Sequence, residues 1–290
     1  MVKNQKKISA GVLLGVLFFS LTLLLGIAVF ADTREGILEI DVLDIGQGDA
    51  ILIQTPTRAR VLIDGGRDTT VSKKIAEELP FWERTIDVMI LTHPDLDHVG
   101  GLPDVLRRYR VGAILLTEVE KDLPAYQEFL ARAREEDIPL QYVYAGDSLR
   151  LGPDLVLAIF APEKGTIDSE DLNNFSIVAK LMHNKRSFLF TGDAEDKGER
   201  RMIAGGADLS ADVLKLGHHG SRYSSSAVFF KSVGARAGLI SAGAHNSYGH
   251  PHPDVLKRMA DASMTAYRTD TQGTIEIISD GEFLTITTEK

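Results

Sequence analysis

Three apolar runs in this chain each finish in a knot of imidazoles or carboxylates, and few folds accommodate that arrangement. The run at 86–91 leads into His93, Pro94, Asp95, Leu96, Asp97 and His98. The run at 187–191 ends at Asp193, and the run at 213–216 leads through Gly217 to His218 and His219. Apolar stretches rich in Val, Ile and Leu and bounded by turn residues read as buried strands, which places these polar groups where strands end. His and Asp together offer nitrogen and hard oxygen donors able to hold divalent cations. Donors delivered from the ends of several strands make the layout of a catalytic metal centre with two ions.

Strand-like runs also occur at 38–43, 50–54, 60–63, 155–160, 176–181, 237–241 and 274–278, with helical stretches at 71–79, 99–109, 125–135, 195–203 and 253–259 between them. Alternation of this kind argues an α/β class. No linker rich in Pro, Gly or Ser divides residues 32–290, so one large domain is expected there.

The first 31 residues form a separate segment. Lys3, Lys6 and Lys7 precede an uncharged stretch of 23 residues at 8–30, long enough to cross a bilayer as a helix with its positive end in the cytoplasm. Val29, Phe30 and Ala31 offer a small-residue cleavage site, although the apolar run exceeds the roughly 7 to 15 residues usual for a removed signal peptide. Anchor and cleaved signal both stay open, and in either case the catalytic part is expected outside the cytoplasm. With no cysteine the chain carries neither a disulfide nor a lipid-attachment thiol.

The segment HPDLDHVGG resembles the HxHxDH signature of metallo-beta-lactamase fold hydrolases, with Asp95 where the second His usually stands. One branch is more similar still. LDIGQGDAILI at 43–53, LIDGG at 62–66, NNFSIV at 173–178, LFTGDAE, LKLGHHGS and NSYGHPHPDVL at 246–256 follow in order the motifs of the ComEC-type competence hydrolase domain, and YRTDTQGTIEI fits near the C-terminus. The resemblance covers roughly residues 37–288. It implies an αββα four-layer sandwich, two mixed sheets face to face with helices outside, and two divalent metal ions at one rim. ComEC-type proteins carry many membrane spans beside the hydrolase domain; this chain has one candidate span, so no DNA-conducting channel is expected in it.

By family position His93 and Asp95 would hold the first metal and Asp97 with His98 the second. Asp193 would bridge the two, since a carboxylate can span two cations and an imidazole cannot; its bland alternative is an N-cap for the helix near 195. His218 and His219 are adjacent, so their side chains are expected to diverge, His218 to the second metal and His219 either to a supporting place behind the ligands or toward substrate phosphate. His250 is the candidate donor to the leaving oxygen or to the transition state, and it joins Asp97 and His219 as the catalytic set. Asn174, Lys215, Ser221 and Asn246 are the candidates for holding the phosphate. His183 and His252 read as structural. Asp44, Asp49 and Asp64 read as turn residues or as supports behind the ligands rather than as ligands.

Asn173 and Asn174 stand where many relatives place a His, as in the ComEC branch, and with Asp95 they make the donor set rich in hard oxygen. Such a set favours Mn²⁺, with Zn²⁺ close behind. Two cations sharing a water supply the nucleophile, so no Ser or Cys is needed in that role. The resemblance implies a phosphodiester substrate, DNA first, with cell-wall choline phosphate or teichoic acid as the rival. A membrane-tethered binding protein that does no chemistry is the third reading. A lactamase is disfavoured, because its second and third His are missing.

A net charge of −9 suits tight DNA binding poorly. Arg58, Arg60, Arg67, Lys215 and Arg222 are candidates for a small positive rim, and the single tryptophan, Trp82, excludes an interleaved aromatic stripe for stacking single strands. No protein partner is evident.

Overall fold

The computed structural model describes residues 19, 20, 22, 36–166 and 171–290. The expected membrane or signal segment at 8–30 therefore falls almost wholly outside the described residues, and among those described no helix is long and apolar enough to cross a membrane. Ile37–Lys290 forms one compact unit, distinct from the N-terminal Met1–Gly36.

Two sheets build that unit. The first has eight strands in the order β15-β14-β1-β2-β3-β4-β5-β6. These are β1 Leu38–Val42, β2 Ile51–Gln54, β3 Arg60–Ile63, β4 Thr85–Ile90, β5 Arg110–Leu116, β6 Leu140–Tyr142, β14 Ile275–Ser279 and β15 Leu284–Thr288. The second has seven in the order β13-β12-β11-β10-β9-β8-β7, namely β7 Ser148–Gly152, β8 Leu155–Ala161, β9 Val178–His183, β10 Arg186–Phe190, β11 Val213–Lys215, β12 Ala237–Ile240 and β13 Thr265–Arg268. Both sheets are mixed: β3 to β6 and β10 to β13 run parallel, and the remaining pairs antiparallel.

Alternation of side chains along the strands divides the core in three. Ile40, Ile51, Ile53, Val61, Leu157, Leu181, Phe188 and Leu239 face inward and fill the space between the sheets. Leu52, Leu62 and Met89 point outward from the first sheet onto α1 Thr70–Glu78, α3 Leu102–Arg108 and α4 Pro124–Glu135, through Val71, Ile75, Val105 and Phe129. Leu189, Leu214 and Ile240 do the same for the second sheet, against Met202 of α5 Asp196–Ala204, Phe229 of α6 Ala227–Val233 and Val255 and Met259 of α7 Pro253–Asp261. Burial on both faces explains why these strands read as continuous apolar runs. The result is the expected four-layer αββα sandwich.

Some elements differ from the sequence reading. The helix expected at 99–109 is two, α2 Leu96–Val99 and α3, broken at Gly100 and Gly101. Asp97 and His98 therefore sit on a helical turn rather than a loop. Strands β5, β6, β7, β13 and β15 and helices α6 and α8 Thr269–Gln272 add to those expected. β6 is exposed throughout and β15 only half-buried, so neither carries the apolar signature of a core strand.

The parallel strands all end on one side, and the loops there are knit by backbone contacts. Asp49 N–H donates to Asp97 O (3.1 Å), Gly65 N–H to His98 O (2.7 Å) and Gly101 N–H to Gly66 O (3.1 Å). Gly48 makes this possible: its φ is +122°, and a Cβ there would lie 2.1 Å from the Asp97 carbonyl oxygen. Gly48→Ala is expected to force the two loops apart and destabilise the fold by about 1–3 kcal/mol, measured by chemical denaturation.

Candidate metal centre

The side chain at the middle of the rim is Asp193, which follows β10. Its carboxylate lies 3.3 Å from His98 Nε2, 3.5 Å from His219 Nε2, 3.8 Å from His218 Nε2 and 3.9 Å from His93 Nε2. Four imidazoles from two strand ends, those of β4 and β11, thus aim the same nitrogen at the one carboxylate that follows β10. Asp97 Oδ2 adds a further oxygen 3.4 Å from His219 Nε2.

What lies behind each ring fixes its orientation. His98 Nδ1–H donates to Asp64 Oδ2 at 2.8 Å, and His218 Nδ1–H to Glu195 Oε1 at 2.8 Å. His219 Nδ1–H donates to Ser241 O at 3.0 Å and lies 3.2 Å from Asp49 Oδ1. His93 Nδ1 is 3.1 Å from Thr92 Oγ1, whose own hydroxyl donates to Asp64 Oδ2 at 2.7 Å. Engaging Nδ1 in this way leaves Nε2 as the nitrogen carrying a lone pair toward Asp193, the arrangement of metal-ligating histidines.

Nε2 of His93, His98 and His219 and Oδ1 of Asp193 are buried without a hydrogen-bond partner among the described residues. Each such group costs roughly 1–3 kcal/mol if left unsatisfied. Divalent cations satisfy lone pairs of this kind together, and the donor chemistry of three imidazoles and two carboxylates suits them. Donor atoms close enough to share an ion group as His93, His98 and Asp193, as Asp97, His98 and His219, and as Asp49, Asp193 and His219. The residues present therefore fit a metal site.

The electrostatics point the same way. Burial alone would lower the His219 pKa, but the Asp193 and Asp49 carboxylates overcome it and raise the ring to about 10. His98 is likewise pushed well above its ordinary value by Asp193 and Asp64 against the effect of burial. Burial would raise Asp193, yet His219 and His98 hold it well below the usual carboxylate range. The cluster is a well for positive charge.

Several expected roles need correction. Asp95 does not join the cluster; its Oδ1 accepts from Lys121 Nζ at 2.7 Å. His218 and His219 do not diverge. Both have left-handed backbone, φ 47° and 54°, and this turns both Nε2 atoms to Asp193. His219 is 1% exposed and sits among the donors, so it cannot face phosphate, whereas His218 is partly open. Lys215 cannot hold phosphate either: it is fully buried, with Nζ 2.7 Å from Asp49 Oδ2 and donating to Leu216 O. Asn174 Oδ1 accepts from the backbone of Glu195 and Gly198, fastening the start of α5. Ser221 Oγ is buried and accepts from Tyr223 N–H. Asn246 Oδ1 accepts from the N–H groups of Tyr248 and His250, shaping its own loop. The positive rim is absent as drawn, because Arg58 and Arg60 flank the far ends of β2 and β3.

His250 does approach the centre, its ring 5.3 Å from that of His218 and 6.3 Å from that of His219. Burial and those two neighbours lower it to about 4, so it is neutral at pH 7. His252 caps α7, its Nδ1 accepting from Asp254 N–H. His183 is buried at the β9–β10 turn, away from the rim. Asp193 is not the N-cap of α5; Glu195 holds that position. Sequence reasoning does not reach Glu195, Thr92, Ser241 or Ser176, whose buried Oγ accepts from Asp193 N–H at 3.2 Å and lies 3.3 Å from His93 Nδ1. The signal for Glu195 was its place two residues after Asp193 at a strand end; the others carried none.

Residues 43–245 match the metallo-beta-lactamase superfamily, and the chain belongs to it. It is 34% identical over 255 residues to ComE operon protein 3 of Bacillus subtilis (strain 168), covering 82% of this chain and 32% of that protein. It is 30% identical over 240 residues to Competence protein ComA of Neisseria gonorrhoeae, again 82% of this chain and 32% of that one. Recombination protein 2 of Haemophilus influenzae (strain ATCC 51907 / DSM 11121 / KW20 / Rd) is 27% identical over 281 residues, 96% of this chain and 33% of that one. The chain thus spans about a third of the length of these relatives. Among solved structures, the metallo-beta-lactamase fold protein YhfI from Bacillus subtilis superposes with a TM-score of 0.56 at 13% identity, over 82% of this chain and 99% of that one, a likeness of fold.

Two outcomes are expected. Lys215→Met leaves Asp49 buried without its cation and destabilises the protein by about 3–5 kcal/mol in denaturant titrations. In chelated protein, His219 is raised from about 6.5 unfolded to about 10 folded. Its contribution is complete below pH 6.5 and is lost as pH rises toward 10, so melting temperature falls across that window. Added Mn²⁺ or Zn²⁺ reverses the slope, because cations compete with protons for the same donors.

Proposed function

We propose that this chain is a metal-dependent phosphodiesterase of the extracytoplasmic space, acting on nucleic acid. The observation that carries the reading is the Asp193 carboxylate set among four Nε2 atoms, with buried lone pairs left over. A protein that only bound a partner would have no use for so costly a cluster. Relationship to ComE operon protein 3 and Competence protein ComA supports nucleic acid as the substrate class and DNA uptake as the setting, and the lysine-flanked apolar segment at 8–30 supports a location outside the cytoplasm.

His93, His98, Asp97, Asp193, His219 and the partly open His218 would hold one or two divalent ions. Such ions supply Lewis acidity toward a phosphoryl oxygen and toward the attacking water. The protein's own groups supply orientation. Asp64, Asp49 and Glu195 lock the imidazoles from behind, so the donors need no rearrangement during the reaction. His250 stands beside the open side of His218, where the leaving oxygen of a diester can reach it. Being neutral, it acts there as an N–H donor to developing charge and not as an imidazolium acid.

The test is hydrolysis by the full chain with Mn²⁺, Zn²⁺ or Mg²⁺ of single-stranded DNA, duplex DNA and a choline-phosphate ester. DNA cleavage is expected, lost by at least about 10³-fold in Asp193→Ala. Equal inertness of wild type and variant with every ion overturns the enzymatic reading, and turnover of the choline ester alone overturns the nucleic-acid one.

A further inference from the structure

The strand ends opposite the metal centre carry a different chemistry. Phe81 and Trp82, just before β4, are 79% and 63% exposed and stack edge to face with centroids 4.8 Å apart. Phe283, in the β14–β15 turn, is 70% exposed. Strand polarity puts all three at the same end, because β4 and β1 both run toward the rim and β14 is antiparallel to β1. Between β14 and β4 lie three strands, so the aromatic groups stand roughly 19 Å apart at about 4.8 Å per strand. The chain enters the first sheet between them, at β1.

Exposed Arg84 and Arg110 lie at this end. Of the acids at this end, Glu83 pairs with Arg60 at 3.0 Å, Glu282 with Lys185 at 2.7 Å, and Asp280 accepts from two backbone N–H groups, while Glu135, Glu136 and Asp137 stand exposed before β6, beyond β5 from the rings. A chain of net charge −9 thus turns arginines and bare aromatic rings outward where it is entered. Trp and Phe beside Arg suit the headgroup zone of an anionic bilayer, with rings at the acyl boundary and guanidinium groups on phosphate.

We infer that this aromatic and basic end docks on an anionic lipid surface, so that the metal centre faces away from the membrane. The inference rests in part on residues 8–30 being a membrane anchor. Seven residues, 31–37, separate that apolar run from β1, and fully extended they span at most about 25 Å. The end that β1 enters is the end so short a tether holds near lipid. A six-residue strand such as β4 adds about 20 Å, which leaves the catalytic rim open to substrate arriving from the aqueous side.

Trp82 is the only tryptophan, which makes the test direct. The full chain is reconstituted into vesicles of phosphatidylcholine and phosphatidylglycerol, with and without bromine on the acyl chains. Emission of Trp82 is expected to be blue-shifted and quenched by about half in brominated vesicles. Phe81→Ser, and Arg84→Glu with Arg110→Glu, should each weaken the quenching without changing metal-dependent hydrolysis. Protein that floats with the vesicles while Trp82 stays water-like overturns the docking and leaves the anchor intact. Protein that does not float overturns both. A blue shift that grows with protein concentration in lipid-free detergent assigns the surface to a second copy instead and overturns the inference.

Discussion

Buried charge that needs compensation governs this molecule. Asp49, Asp64 and Asp193 are all removed from water, an expensive placement unless cations or hydrogen bonds meet them. Lys215 meets Asp49, Thr92 and His98 meet Asp64, and the histidines meet Asp193. The glycines of the neighbouring loops, the left-handed pair at His218 and His219 and the short helix bearing Asp97 and His98 all serve to bring these groups together. The sandwich below supplies rigidity so that the arrangement survives. Function follows from the one demand that protein groups alone do not meet, the surplus of lone pairs directed at a common point.

Much of this was legible from the sequence. Buried parallel strands announce themselves as apolar runs, and β4, β10 and β11 each ended in residues of ligand type, so Asp193, His93 and His98 could be placed from order alone. The αββα layering followed from resemblance and is what the structure shows. Roles that depend on local backbone were not legible. Adjacent residues in a strand diverge, but His218 and His219 share a positive φ and converge, which no spacing rule encodes. Lys215 read as a surface cation because lysine is seldom fully buried; its burial follows from β11 lying in the interior of its sheet.

Asn174, Ser221 and Asn246 teach a related point. Each is a polar residue within a motif and beside the centre, and each is occupied in fastening a loop or a helix start. Residues in such motifs serve the scaffold as often as the substrate. Asp95 shows the same from the other side: occupying a ligand's place in the pattern, it is drawn off by Lys121 from a different loop.

The donors are divided between the layers. His93 and His98 follow strand β4 of one sheet, and Asp193 and His219 follow β10 and β11 of the other. An ion seated among them would be a clip between two halves that already meet through apolar side chains and the Lys215–Asp49 pair, closing a loop of about a hundred residues. Chelation would loosen the sandwich first along its upper seam, and cation supply would then govern how long the folded chain persists as well as how fast it works.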